Sequence, residues 1–184
     1  MLYKDFDLVL ASDRIRITPL LPSDTESYAR LMFGVMYDRF TEVLGHVPDS
    51  GIDKVLSHES DEETHALRLP DSDDSFIGWI ALQRDEEGRP DIGIHIVPEQ
   101  QNKGLGPEAI RLFANHLHDE YGLERVYARV HESNLQSQRA MEKAGAVLEK
   151  EAPNPIIVAM QSKLPEEERS DPGRLRYYHL DLPV

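Results

Sequence analysis

The turn Gln101-Asn102-Lys103-Gly104-Leu105-Gly106 brings together residue types and a spacing that suggest chemistry. A strand pattern leads into it and a helical pattern follows at once. Glycines let the backbone come close to a ligand, and the free amides at a helix start point at an anion such as a pyrophosphate. Pro107 suits the first helical turn because its missing N–H would be unpaired there. It also withdraws one donor, so the amides of Asn102 to Gly106 would carry the contact. A plain strand-to-helix connection would use the same residues, and the turn alone does not separate the two readings. Two other nucleotide sites are excluded. Gly106 is followed by Pro107-Glu108, where a P-loop needs lysine and a hydroxyl residue, and the G-x-G-x-x-G spacing of a dinucleotide fold is missing. His116-x-His118-Asp119-Glu120 is a poor metal site, since residues two apart on a helix point away from each other. It reads as a solvated face, and no metal is expected.

Elements must position this turn. Arg14 to Thr18 alternates polar and apolar residues as a half-buried strand, stopped between Pro19 and Pro22. Ser23 and Glu26 have capping-box spacing before a helix over about 24–33, with Tyr28, Leu31 and Met32 as its buried side. Residues 34–63 read as short helical pieces broken at Gly45, Pro48 and Gly51. Asp61-Glu62-Glu63 and Asp71-Asp73-Asp74 read as solvated loop charges. Residues 75–84 and 91–97 predict two strands joined by the turn 85–90, hence an antiparallel hairpin. A helix over 107–121 carries the apolar stripe Ile110, Phe113, Ala114, Leu117 and Tyr121, with Gly122 to stop it. A strand over 125–131 follows, then a short helix capped by Ser133 or Asn134 and ending at Gly145. The tail predicts strands through 156–158 and 174–180 around an exposed acidic loop. With no repeats or linkers, this order describes one α+β domain over residues 1–184 with a mixed sheet.

The bulk numbers are those of an ordinary soluble domain, with 40% hydrophobic and 29% charged residues in 184. A formal net charge of −14 argues against nucleic acid, because phosphate binding needs surplus Lys and Arg. It suits a cationic acceptor such as an amine, or serves only solubility. The absence of Cys excludes disulfides, thiolate nucleophiles and Cys-bound zinc. No apolar run is long enough for a membrane span and the acidic N-terminus does not resemble a signal peptide, so a cytoplasmic protein is expected.

Gln101-x-x-Gly104-x-Gly106 matches a Q/R-x-x-G-x-G/A signature, and Asn134-x-x-Ser137-x-x-Ala140-Met141-Glu142-Lys143-x-Gly145 follows in order. These segments resemble the cofactor-binding core of the GNAT superfamily of N-acetyltransferases, with Ala146 where phenylalanine is usual. Ser12 to Leu20 and Ile77-Gly78-Trp79-Ile80 resemble the branch that acetylates ribosomal-protein N-termini. The resemblance implies a three-layer fold, a central mixed and mostly antiparallel sheet flanked by helices. It also implies attack of a neutral amine, from a peptide N-terminus or a small molecule, on the thioester of acetyl-CoA. The pyrophosphate would sit on Asn102, Lys103, Gly104, Leu105 and Gly106, with Gln101 shaping the loop. The pantetheine arm would add to the strand end at Ile96 and Val97, and Asn134 would contact the cofactor as well as cap its helix. Asp91 stands where relatives often place a glutamate base. On a strand it shares a face with Gly93 and His95, so both Asp91 and His95 are candidate bases. Met141 occupies the place of the usual tyrosine acid and cannot donate a proton, which leaves Ser137 as the candidate donor to the leaving thiolate. Trp79 is core or one cleft wall, and one of Tyr177 and Tyr178 should face the cleft. A homodimer through the tail strands is compatible with the pattern. The competing reading is a non-catalytic CoA-binding module of the same fold.

Overall fold

Alternating side chains along 76–84 and 90–96 leave an apolar row on each strand that only a helix packed across the sheet can cover. The computed structural model describes residues 5, 7–46, 49–57, 62–70, 75–162 and 165–184. In chain order these form β1 (Leu10–Ala11), β2 (Arg16–Pro19), α1 (Thr25–Phe33), α2 (Tyr37–Leu44), α3 (Ile52–Leu56), β3 (Glu63–Arg68), β4 (Phe76–Arg84), β5 (Pro90–Ile96), α4 (Leu105–Tyr121), β6 (Arg125–His131), α5 (Leu135–Ala144), β7 (Val147–Pro153), α6 (Pro155–Gln161) and β8 (Arg174–Asp181). The strands make one sheet in the order β1-β2-β3-β4-β5-β6-β8-β7. Each neighbouring pair is antiparallel except β5 with β6. This is the mixed, mostly antiparallel sheet of an α+β domain.

One face carries Ile17, Leu67, Ile80, Ile92, Val126 and Ala128 against the α4 stripe Ile110, Phe113, Ala114 and Leu117. The other carries Ala66 and Trp79 against Tyr28 of α1 and Ile52 of α3. The layers are therefore helix, sheet, helix. Burying α4's three large side chains stabilises the domain by roughly 1.5–3 kcal/mol for each of Ile110, Phe113 and Leu117. α1 is anchored by charge. Asp24 Oδ2 accepts from Arg68 Nη2 at 2.5 Å and from the Leu21 N–H at 2.8 Å, while Arg68 Nε donates to Thr18 Oγ1 at 2.9 Å. Among the described residues no helix is long and apolar enough to cross a membrane.

Some expectations change. The hairpin of β4 and β5 forms with Gln83 opposite Asp91 and Trp79 opposite His95. β3, however, was not anticipated: only Glu63 of it was assigned, at the end of the helical pieces and as a loop charge. Its Glu63 and His65 are buried and bonded to each other at 2.8 Å, so polar side chains disguise a central strand. Glu63 is thus no loop charge, and Asp61 and Asp71, Asp73 and Asp74 lie outside the described residues. At α1, Asp24 rather than Ser23 occupies the cap position, its carboxylate reaching back to the Leu21 N–H, and Met32 is 46% exposed. Residues 156–158 are helical because Asn154 Oδ1 accepts the N–H groups of Ile156 and Ile157 and Pro155 opens the turn. β8 lies between β6 and β7, and its outer partner β7 begins at Val147, two residues after Gly145.

Candidate active site

β5 and β6 share a single register pair, Asp91 with Tyr127. Beyond it a cleft of about 420 Å³ opens beside Ile94, His95 and Ile96, floored by the start of α4 and walled by α5. The Val97 N–H donates to Ile77 O at 2.9 Å across the β4 side. Main-chain groups alternate along a strand, so Ile94 and Ile96 turn theirs away from β4, toward the cleft. The Ile96 carbonyl is taken by Gln101 Nε2 at 2.7 Å, which fixes the loop and leaves the Ile96 N–H as a donor. Val97 is therefore not an open-edge contact. Ile94, which was not anticipated, takes its place.

The loop itself is a cradle of N–H groups. Asn102 has φ +60° and Gly104 φ +80°, and left-handed residues two apart curl successive amides inward. α4 begins at Leu105 with Gly104 as its cap, so the amides of Gly104, Leu105 and Gly106 have no intrahelical acceptor. Pro107, at the third helical position, has none to offer. The helix dipole adds positive potential at the same point. A Cβ on Gly106 would lie 3.6 Å from Ala140 Cβ, so α4 and α5 meet closely here. Arg14 ties the N-terminal segment to the loop. Its Nη2 donates to Lys103 O at 2.9 Å and its Nε sits 3.1 Å from Glu108, which also accepts from Ser12 Oγ at 2.6 Å.

The candidate chemical groups separate. His95 lines the cleft, its ring edge-on to Trp79 at 6.0 Å, and surrounding protein pushes its pKa below the usual histidine value. Ser137 lines the opposite wall. Asn134 Oδ1 accepts the Ser137 N–H at 3.1 Å, so the asparagine is a helix cap that also borders the cleft. Asp91 is elsewhere: it is 2% exposed, accepts from Gln83 at 2.8 Å and lies 3.1 Å from Arg129 Nε. Burial raises its pKa against the pull of Arg129 and Gln83. A carboxylate so enclosed cannot reach a substrate in the cleft. Sharing a strand face with His95 was not enough, because that face is covered at one end and open at the other.

Gln101, Asn102, Gly104, Leu105, Gly106 and Ile96 all border the cleft. Lys103 turns outward, its Nζ donating to Gln100 Oε1 at 2.9 Å. Met141 is packed in the core, and no proton donor replaces tyrosine at that position. Tyr177 and Tyr178 are both buried, Tyr177 under Lys150 Nζ and Tyr178 in the core, and neither borders the cleft. Trp79 is half-buried, with no hydrogen-bond partner for its Nε1 among the described residues. His116 is half-buried beside Tyr121, 3.9 Å from Asp5, and is not on a solvated face. Among the described residues no cluster of three or more His, Asp or Glu could hold a metal ion. The sequence reading missed Gln136 and Arg139, and gave no role to Ala140 and Lys143 beyond their place in the family segment. Their three- and four-residue spacing from one another marks a single face of α5.

Comparison with known proteins agrees with this arrangement. Residues 14–147 match the family model described as an acetyltransferase (GNAT) domain. The probable N-acetyltransferase YjcK of Bacillus subtilis is 37% identical over 90 residues, 47% of this chain and 50% of that protein. The match thus spans half the length of that curated relative. Among solved structures, a GNAT-family acetyltransferase from Bacillus anthracis superposes with a TM-score of 0.68 at 19% identity, covering 95% of this chain and 98% of the other. Mycobacterium smegmatis RimJ in complex with CoA-disulfide gives 0.69 at 12% identity, covering 96% and 88%. At such identities the likeness is one of fold. The family match covers most of the chain, and the chain belongs to the GNAT acetyltransferase family.

Proposed function

We propose that the protein is an acetyl-CoA-dependent N-acetyltransferase whose acceptor is a primary amine, at a protein N-terminus or on a small molecule. One observation carries this reading: the amide cradle at the α4 start opens into the same cleft that His95 and Ser137 border. The cradle has the donor geometry and potential for a pyrophosphate, and the Ile94 and Ile96 edge can hydrogen-bond an extended amide-bearing arm. The bound donor would supply an activated acyl thioester. His95 takes the proton from the attacking amine, directly or through water; its lowered pKa keeps the imidazole neutral near pH 7. Ser137 donates a hydrogen bond to the departing sulfur, and water supplies the proton. Asn134 holds the first turn of α5 so that Ser137 stays on the wall.

The buried Met141 favours a second reading, a CoA-binding module without turnover. Calorimetric titration with acetyl-CoA, followed by an acceptor screen with N-terminal peptides and polyamines, decides between them. The wild type should bind at micromolar concentration, and a folded Gly104→Glu variant should not. Glutamate there would force φ +80° on a side chain and place negative charge in the cradle. Binding without turnover on any acceptor would support the module, and no binding by folded wild type would end both readings.

A further inference from the structure

His95 differs from other histidines of the sheet and its helices. His65, His118 and His131 each have a ring nitrogen in a hydrogen bond, with Glu63 Oε1, the Leu123 carbonyl and Ser133 Oγ at 2.8, 2.9 and 2.8 Å. Among the described residues the His95 ring has no hydrogen bond and no ion pair. An imidazole that takes a proton in catalysis is ordinarily oriented through its second nitrogen, and His95 lacks that partner. What meets the ring instead is Trp79, directly opposite in the β4–β5 register, with ring planes at 78° and centroids 6.0 Å apart. His95 is exposed toward the cleft, so the burial that lowers its pKa comes from its inner side, where Trp79 is the ring contact. Charged groups on neighbouring elements do not contribute to that lowering. They are Asp91 and Arg129, which pair with each other, Arg139 and Lys143 across the cleft, and Glu62 near Tyr28.

Trp79 is itself held in place. Gly93 stands two residues before His95 on the same face of β5. A Cβ there would lie 3.4 Å from Trp79 Cζ3 and 3.7 Å from Cη2, so the indole lies against the strand where a side chain is missing. Tyr28 of α1 backs it, with ring centroids 6.3 Å apart. Core packing alone is a poor account of this indole. Its Nε1 is buried with no hydrogen-bond partner among the described residues, a cost that phenylalanine or leucine would avoid. We propose that Trp79 is the positioning residue of the base: seated over Gly93, it stands the His95 imidazole at the cleft mouth and shields one side of it from water. The proposal rests on the acetyltransferase reading above and names what orients its base.

Trp79 is the chain's one tryptophan, so intrinsic fluorescence reports this site alone. A protonated imidazole quenches an indole in contact with it. Wild-type emission should therefore drop with the same pH midpoint as kcat at saturating donor and acceptor, and His95→Gln should remove that titration. Trp79→Leu should lose about tenfold in kcat and move the acid limb up toward about pH 6.5, the ordinary histidine value. Its acetyl-CoA affinity by calorimetry should not change. Trp79→Phe should recover most of the rate. Gly93→Val keeps the indole but fills the space beneath it, and should lose rate and shift the limb as Trp79→Leu does. Circular dichroism checks that each variant is folded. A folded Trp79→Leu enzyme with wild-type kcat and acid limb would overturn the proposal and leave the acyltransferase reading standing. So would wild-type emission with no inflection across the acid limb, or emission that still titrates in His95→Gln. Absence of turnover by folded wild type on any acceptor would overturn the acyltransferase reading, and the proposal with it.

Discussion

Arg129 Nε lies 3.1 Å from Asp91 Oδ2 in the pair that joins β5 to β6, and Gln83 Nε2 holds the other carboxylate oxygen at 2.8 Å. The pair sits where the two strands still touch, just before they part to form the cleft. Asp91 is thus a fastener of the sheet at the cleft's root. Asp91→Ala should cost about 1–3 kcal/mol in chemical denaturation, for the desolvated donors left without an acceptor. The figure stays below that for a fully isolated charge because Arg129 keeps Glu86 at 2.6 Å. Turnover per folded molecule should survive. Unchanged stability with turnover abolished would return Asp91 to the list of bases.

His95 should be visible in the pH profile. Surrounding protein lowers its pKa, so the imidazole takes its proton at more acid pH than an ordinary histidine. Measured at saturating acceptor and donor, kcat should hold through pH 7 and fall as pH drops through the folded value. His95→Gln should lose about 100-fold in kcat and flatten the acid limb. Linkage fixes a second sign. With the folded pKa depressed, the unfolded chain takes the proton first, so wild type loses stability as pH falls from about 6.5, and the glutamine variant lacks that contribution. An acid limb that is unchanged in His95→Gln belongs to another group.

Asn134 and Ser137 share one hydrogen bond but should fail differently. Asn134→Ala removes the cap acceptor and should cost about 1 kcal/mol of stability. Ser137→Ala keeps the backbone N–H that the cap uses, so thermal unfolding should barely move. If the hydroxyl assists the departing sulfur, kcat should fall about tenfold, the rate equivalent of one hydrogen bond. A Ser137→Ala enzyme with wild-type kcat would assign the donor role to water alone.

Whatever depended on local geometry was legible in the sequence. Gly104 before a helix, Gly122 and Gly145 after one, and the stripe through Ile110, Phe113 and Leu117 each follow from a backbone angle or a period of 3.6 residues. The same holds for the β4–β5 hairpin, where Asp85 accepts the N–H groups of Glu87 and Arg89 within the turn itself. The cleft's contents were partly legible, because the Gly loop and the Asn134 helix carry their own start signals.

Tertiary structure decided what depended on partners distant in the chain. β3 is a central strand because Asp24, 44 residues away, satisfies Arg68, and no periodicity announces such pairing. Residues 156–158 have strand-forming side chains, yet the Asn154 cap holds them in a helix; here the start signal was present in Asn154-Pro155 and propensity obscured it. Asp91 and His95 look equivalent as alternate residues of one strand. Arg129, 38 residues on, closes over the first, and the parting of β5 from β6 exposes the second. Sequence sets backbone angles and side-chain periodicity, which are local; which face is covered and which charge is neutralised is settled only when remote elements meet.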